Sequence, residues 1–405
     1  MDPVYQVSHV PAHSKYPDGI DQHPDLSVLT GADRRPLAGW LGLVAAGVSL
    51  AVVVAMALSW PERDNMPDTS GLGFASEVVR AEVSEVLEAT CSFADDFRCR
   101  RVTFLILEGP DVGTITVEEW QLIPSSPEFE VGNGVLLNVV SDAPPLERYQ
   151  FADRERRPLL LGVSILFLLV VVGLARTKGA AAVAGLIASL LVLFVYMVPA
   201  MLTGRTPELV AIVGATAIGL VTLYLTHGIK PLTHVAAIGT FVSLALTVAL
   251  STVVARLADL SGVVSEEASF ILVLETVDLR GLLLAGMVLG ALGALDDVTV
   301  TQASAVWELN RANPQLVRGE LTAAGLRVGR DHVAAAVNTL LLAYAGAALP
   351  LLLLFGLSGL PLTVVANSEV VAVEIIRTLV GSIGLVAAVP ITTWLAALVT
   401  APSPT

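Results

Sequence analysis

GALGALDDVTVTQASAVWEL, residues 290–309, is apolar enough to enter a membrane yet carries two adjacent carboxylates, Asp296 and Asp297. A carboxylate costs about 2.5–3.5 kcal/mol at the centre of a membrane helix, so it persists there only with a role. The rest of the chain argues that the stretch belongs in a bilayer. Of its 405 residues, 54% are hydrophobic and 15% charged, and the mean hydropathy of +0.75 lies outside the usual range of water-soluble domains.

Segments of roughly 20 mostly apolar residues, enough to cross a hydrocarbon core about 30 Å thick, occur near residues 37–60, 158–175, 179–202, 208–226, 234–254, 281–306, 332–357 and 369–399. The expected fold class is mainly α: a polytopic membrane bundle of about eight transmembrane helices with a small extracytoplasmic β domain. Residues 1–35, polar and dotted with prolines, are expected to be a disordered cytoplasmic tail. Residues 36–61 hold the first transmembrane helix, 62–157 the β domain and 158–400 the remaining membrane helices. The first helix is expected to stay in place, being too long for a signal peptide and preceded by a long polar stretch. Arg34, Arg35, Arg176, Lys178, Lys230, Arg311, Arg318, Arg327 and Arg330 fall on one side if both termini are cytoplasmic, as the positive-inside bias requires. Arg154, Arg156 and Arg157 run against it.

In the outer segment, AEVSEVLE, RVTFLILEG, GTITVEEW and GVLLNVV alternate or are β-branched, and the turn-forming EGPDVG and VGNG lie among them. Such short strands predict an OB-like barrel or a sandwich. Cys91 and Cys99 are the only cysteines; an oxidising compartment permits a disulfide between them, and CSFADDFRC lacks the spacing of a reactive pair. Of the formal charge of -14, the stretch 63–157 holds most, with 18 acidic residues against 9 basic. That surface would repel nucleic acid and anionic headgroups, so neither is an expected partner.

On a helix of 3.6 residues per turn, Gly286, Gly290, Gly293, Asp297, Thr301, Ser304 and Glu308 form one stripe. Three glycines permit close helix approach, which predicts that Asp297 points into the bundle. Asp296 lies about 100° away, and the sequence leaves open whether it faces helices or lipid. Thr240, Asn338, Thr392 and Thr393 fall at a similar depth, an expected polar layer around the acid. Glu374 and Arg377, three apart, are candidates for an ion pair or gate. Pro350 and Pro390 each predict a kink. A weak parallel repeat aligns KPLTHVAAIGTFVSLAL with VGRDHVAAAVNTLLLAY, setting His234 on His332 and Thr240 on Asn338.

GALGALDDVTVTQASAVWELNRANP, VGRDHVAAAVNTLLLAYAGAALPLLLLF and EIIRTLVGSIGLVAAVPITTWLAAL together resemble the YibE/F-like family of bacterial membrane proteins, its actinobacterial members in particular. The resemblance implies a multi-pass protein of the bacterial cell membrane and carries no substrate with it. The expected function is a transporter or permease of an unidentified solute, with proton or cation coupling through a buried Asp. Asp297, Asp296, Thr301, Asn338, Thr240 and Thr393 are the candidate site. The alternative is a cell-envelope scaffold whose β domain binds an envelope protein. No nucleophile with its base, metal cluster, phosphate loop or cofactor motif is present, so neither enzyme activity nor a metal or cofactor is expected. Beyond the lipid bilayer and a solute or ion, a homo-oligomer is compatible with the pattern.

Overall fold

The computed structural model describes residues 36–67, 77–92, 94–140, 143–144, 148–273 and 276–401. The expected tail, 1–35, lies outside them. The molecule is mostly helical, 68%, with one small antiparallel sheet.

That sheet comprises β1 (Glu77–Cys91), β2 (Ala94–Ile106), β3 (Ile115–Gln121), β4 (Gly134–Val139) and β5 (Tyr149–Arg154), in the order β3-β2-β1-β4-β5. EGPDVG links β2 to β3, with Gly113 at φ 84, where a side chain would be strained. The sheet curls into a half-barrel. Its edges β3 and β5 approach each other, as expected of an OB-like strand order, and the Phe151 N–H donates to Glu118 Oε1 at 2.5 Å across the gap. Strand alternation sends Val79, Val83, Val102, Phe104, Leu137 and Tyr149 inward to one core. Cys91 and Cys99 are disulfide-bonded across the β1–β2 hairpin.

Adjacent glutamates on β3 have opposite fates. Glu118 turns inward and burial pushes its carboxyl above the ordinary range. Glu119 turns outward, where the Ser92 hydroxyl and N–H and the Arg101 guanidinium lower it to about 2. The signs oppose each other. Glu119 contributes stability present above its unfolded range and lost as pH falls toward about 2; Glu118 contributes stability present at low pH and lost as pH rises through its folded range. Thermal melts followed by Trp120 fluorescence should therefore show Glu119→Gln flattening the acid-side decline and Glu118→Gln raising stability near neutrality. An unchanged pH profile in both variants would refute this.

The helical part begins with α1 (Pro36–Leu58). The β domain then leads directly into α2 (Arg157–Leu191), which continues through a π-helical stretch (Val192–Met197) into α3 (Val198–Leu202). As one straight rod these 46 residues would reach about 69 Å, twice a bilayer core. They do not form one rod. Arg176 has φ 50 and ψ -125, and the chain turns so sharply there that a Cβ on Gly179 would overlap the Val171 carbonyl oxygen. The two segments expected at 158–175 and 179–202 are thus distinct. Tyr196 of the π-helical stretch bonds Ser59 at 2.7 Å and stacks on Trp60, which docks α1.

Next come α4 (Pro207–His227), α5 (Pro231–Leu257), the short α6 (Glu266–Leu272), α7 (Leu279–Ala312), α8 (Arg318–Ala347), α9 (Leu349–Leu357), α10 (Leu362–Asn367) and α11 (Glu369–Thr400). Among the described residues six helices are long and apolar enough to cross a membrane, and α8 with α9 make a seventh if that pair, bent by 63°, is one span. Counting the broken 46-residue stretch as two brings the segments to the eight expected. The break at Ala348 precedes Pro350, as a proline-induced bend should; α11 instead passes through Pro390 as a single helix. The helix expected to begin at His332 starts fourteen residues earlier, at Arg318. Hydropathy registers only its apolar half, whereas Leu321, Gly325 and Gly329 bury the polar half against the bundle.

α5, α7 and α11 pack against one another as the centre, with α4 beside α5 and α7, and α8 beside α7 and α11. Small polar residues make this possible. On α5, Thr240, Ser243, Thr247 and Ser251 are fully buried on the inward side, and a Cβ on Gly239 or Gly384 would overlap the Thr392 or Thr247 hydroxyl respectively. Gly384→Ala should therefore lose about 1–3 kcal/mol through overpacking. Gly293→Ala, where a Cβ meets nothing within 4 Å, should lose none and gain helix propensity. Melting curves of the two variants in detergent test this, and equal losses would contradict it.

Candidate functional site

α7 starts at Asp278, whose side chain accepts from the N–H groups of Arg280 and Gly281, and runs unbroken for 34 residues. Asp296 and Asp297 lie about 25 Å along it. The buried face of α7 carries Leu284, Val288, Leu295, Thr299, Gln302 and Val306. The glycine stripe is on the other side, so the expected aim of Asp297 into the bundle is wrong: Asp297 is exposed, and so is Thr301. The reason is physical. Glycines admit whatever is nearest, and here that is side chains: Tyr344 Oη fills the space over Gly290, and Arg377 Nη2 lies 3.9 Å from the Cβ position of Gly286.

Asp296 is the carboxylate held by the bundle. It is half-buried against α4, where Thr222 Oγ1 lies 3.1 Å from its Oδ2. The same hydroxyl reaches the Ile218 carbonyl at 2.9 Å; with one proton it serves one acceptor at a time. Asp296 Oδ1 is closed off from the surface and has no hydrogen-bond partner among the described residues. Such an oxygen is under-satisfied, and a proton or cation would relieve it.

Beside it runs a buried polar layer that the sequence located only partly. Thr240 of α5 bonds Thr299 of α7 at 2.6 Å. Gln302 Nε2 donates to Thr393 Oγ1 at 2.6 Å and to the Gly325 carbonyl at 2.9 Å, tying α7 to α11 and α8. Thr392 is fully buried with its hydroxyl unpaired among the described residues. Asn338 is exposed on α8 and stands outside this layer, a second correction. Its match to Thr240 in the repeat holds in sequence but not in environment, because α5 is enclosed and this part of α8 is peripheral. Gln302 was legible as an amide in an apolar helix; Thr222 carried no signal, since nothing in the sequence sets α4 beside α7.

On the exposed side, Asp297 and His332 line a groove of ≈ 330 Å³ between α7 and α8, with Gly293, Ala335, Thr339 and Ala343 in its walls. Farther along, Glu374 and Arg377 pair at 2.9 Å as their spacing predicted, and Arg377 lies 5.9 Å over the Tyr344 ring. His234 bonds Tyr224 through Nδ1 at 2.8 Å, on another face of the bundle. No three His, Cys, Asp or Glu side chains converge as a metal site among the described residues.

Membrane-length helices around a carboxylate with one closed-off oxygen define a multi-pass membrane protein with an ionisable group inside its bundle. The family model for YibE/F-like protein matches residues 163–402, and the chain belongs to that family. No curated protein and no solved structure matches it.

Proposed function

We propose that this protein is a transporter of the bacterial cell membrane, with both termini cytoplasmic, in which Asp296 carries a coupling proton or monovalent cation. The observation behind this reading is the Asp296 Oδ1 atom, enclosed and without a donor among the described residues, beside a layer of buried hydroxyls. Most buried polar atoms of folded proteins have a hydrogen-bond partner, and this carboxylate oxygen has none among the described residues. Asp297, its neighbour, faces the groove, so α7 presents one carboxylate to an ion and the other to a solute. Charge on one disfavours charge on the other, which is a direct route to coupling. Divalent ions fit poorly, since calcium takes 6–8 oxygens and among the described residues no second carboxylate reaches Asp296 Oδ1. Reconstitution in liposomes under an imposed pH or sodium gradient tests the reading. Absence of any gradient-dependent flux would remove it.

A further inference from the structure

The groove between α7 and α8 has a chemistry of its own. Its walls are mostly glycine, alanine and aliphatic side chains, and its charged groups are the Asp297 carboxylate and, when protonated, His332. Neither side chain has an ion-pair or hydrogen-bond partner among the described residues, and the Thr339 hydroxyl is already donated to the Ala335 carbonyl at 3.0 Å. An inorganic cation would find one carboxylate and no ring of oxygens. An anion would meet an acid.

Outside the groove, Tyr344 sets its hydroxyl over Gly290, one turn from the groove-lining Gly293. Past it lies a second cavity of ≈ 180 Å³, lined in part by Tyr344, Leu341, Leu352, Glu374 and Thr378. The Tyr344 ring carries the Arg377 guanidinium over its face at 5.9 Å, so it belongs to this second cavity and not to the groove.

We propose that the α7–α8 groove binds organic monocations, an amine or quaternary ammonium borne on a compact apolar body, with Asp297 as counter-ion. The apolar body lies on the small residues Gly293, Ala335 and Ala343. A second copy of the chain is a poorer occupant. Two-fold pairing through this face would oppose Asp297 to Asp297, a like-charge contact. The choice of cation as the solute rests on the transport reading, but binding in the groove does not.

Equilibrium binding of phenyltrimethylammonium to the full-length protein in nanodiscs of zwitterionic lipid, corrected for uptake by empty nanodiscs, is the test, with benzenesulfonate as the aromatic ligand of opposite charge. The wild type is expected to bind the cation and not the anion, and Asp297→Asn to lower affinity roughly tenfold or more. Since Asp297 is exposed, this variant should melt like the wild type. Asp296→Asn should retain cation binding while losing gradient-driven uptake. Equal binding of the anion, or undiminished cation binding by Asp297→Asn, overturns the proposal. Cation binding that depends on Asp297 but is never followed by uptake upholds the groove and removes the transport reading alone.

Discussion

Asp296→Asn should reduce gradient-driven flux in liposomes by roughly a hundredfold or more, equivalent to about 2.7 kcal/mol of lost coupling. Asparagine has the same shape and can still meet Thr222 Oγ1, which lies 3.1 Å from Asp296 Oδ2. It cannot bind and release a proton or bear the charge that holds a cation. The effect should fall on flux with little change in folding, because an amide is cheaper to enclose than a carboxylate. Thr222→Val gives the companion measurement. It removes the donor that shares itself between Asp296 and the Ile218 carbonyl, and should shift the ion dependence of flux without abolishing it. Flux by Asp296→Asn at the wild-type rate would show that Asp296 is a packing residue.

Phe104→Ala should destabilise the β domain by about 3–5 kcal/mol. The ring is fully buried. It meets Trp120 edge-on at 5.9 Å and Phe129 at 5.7 Å, and stacks on Phe151 at 6.2 Å. Phe151 and Trp120 belong to the two edge strands, so Phe104 holds the half-barrel's curl as well as its core. Urea titration of the full chain should show the Trp120 emission transition moving to lower denaturant while helical circular dichroism keeps its midpoint. A shift of both signals together, or of neither, would contradict this.

These two sites are legible in the sequence to different degrees. The alternation in RVTFLILEG puts Val102, Phe104 and Ile106 on one face of β2, as strand period alone requires, and all three are buried. For the acidic pair, the sequence gives the helix and the depth but not the roles. Glycines at 286, 290 and 293 point to a packed face of α7 that would carry Asp297 inward. In the structure the aliphatic face packs instead, and the glycines accommodate Tyr344 and Arg377.

Hydropathy and helical period act along the chain, and they suffice to find the apolar membrane-length segments, the β domain, the paired cysteines and the Glu374–Arg377 pair. Each of those depends on residues near one another in sequence or on a property summed over a window. Which carboxylate is enclosed depends on α4 coming to lie beside α7, with Thr222 and Asp296 separated by 74 residues. That contact arises from shape matching between helices, with Gly219 of α4 leaving room for the Leu292 side chain of α7. A helical projection gives every helix an inner face and names no neighbour, so only the tertiary structure could decide which of two adjacent acids the bundle would close over.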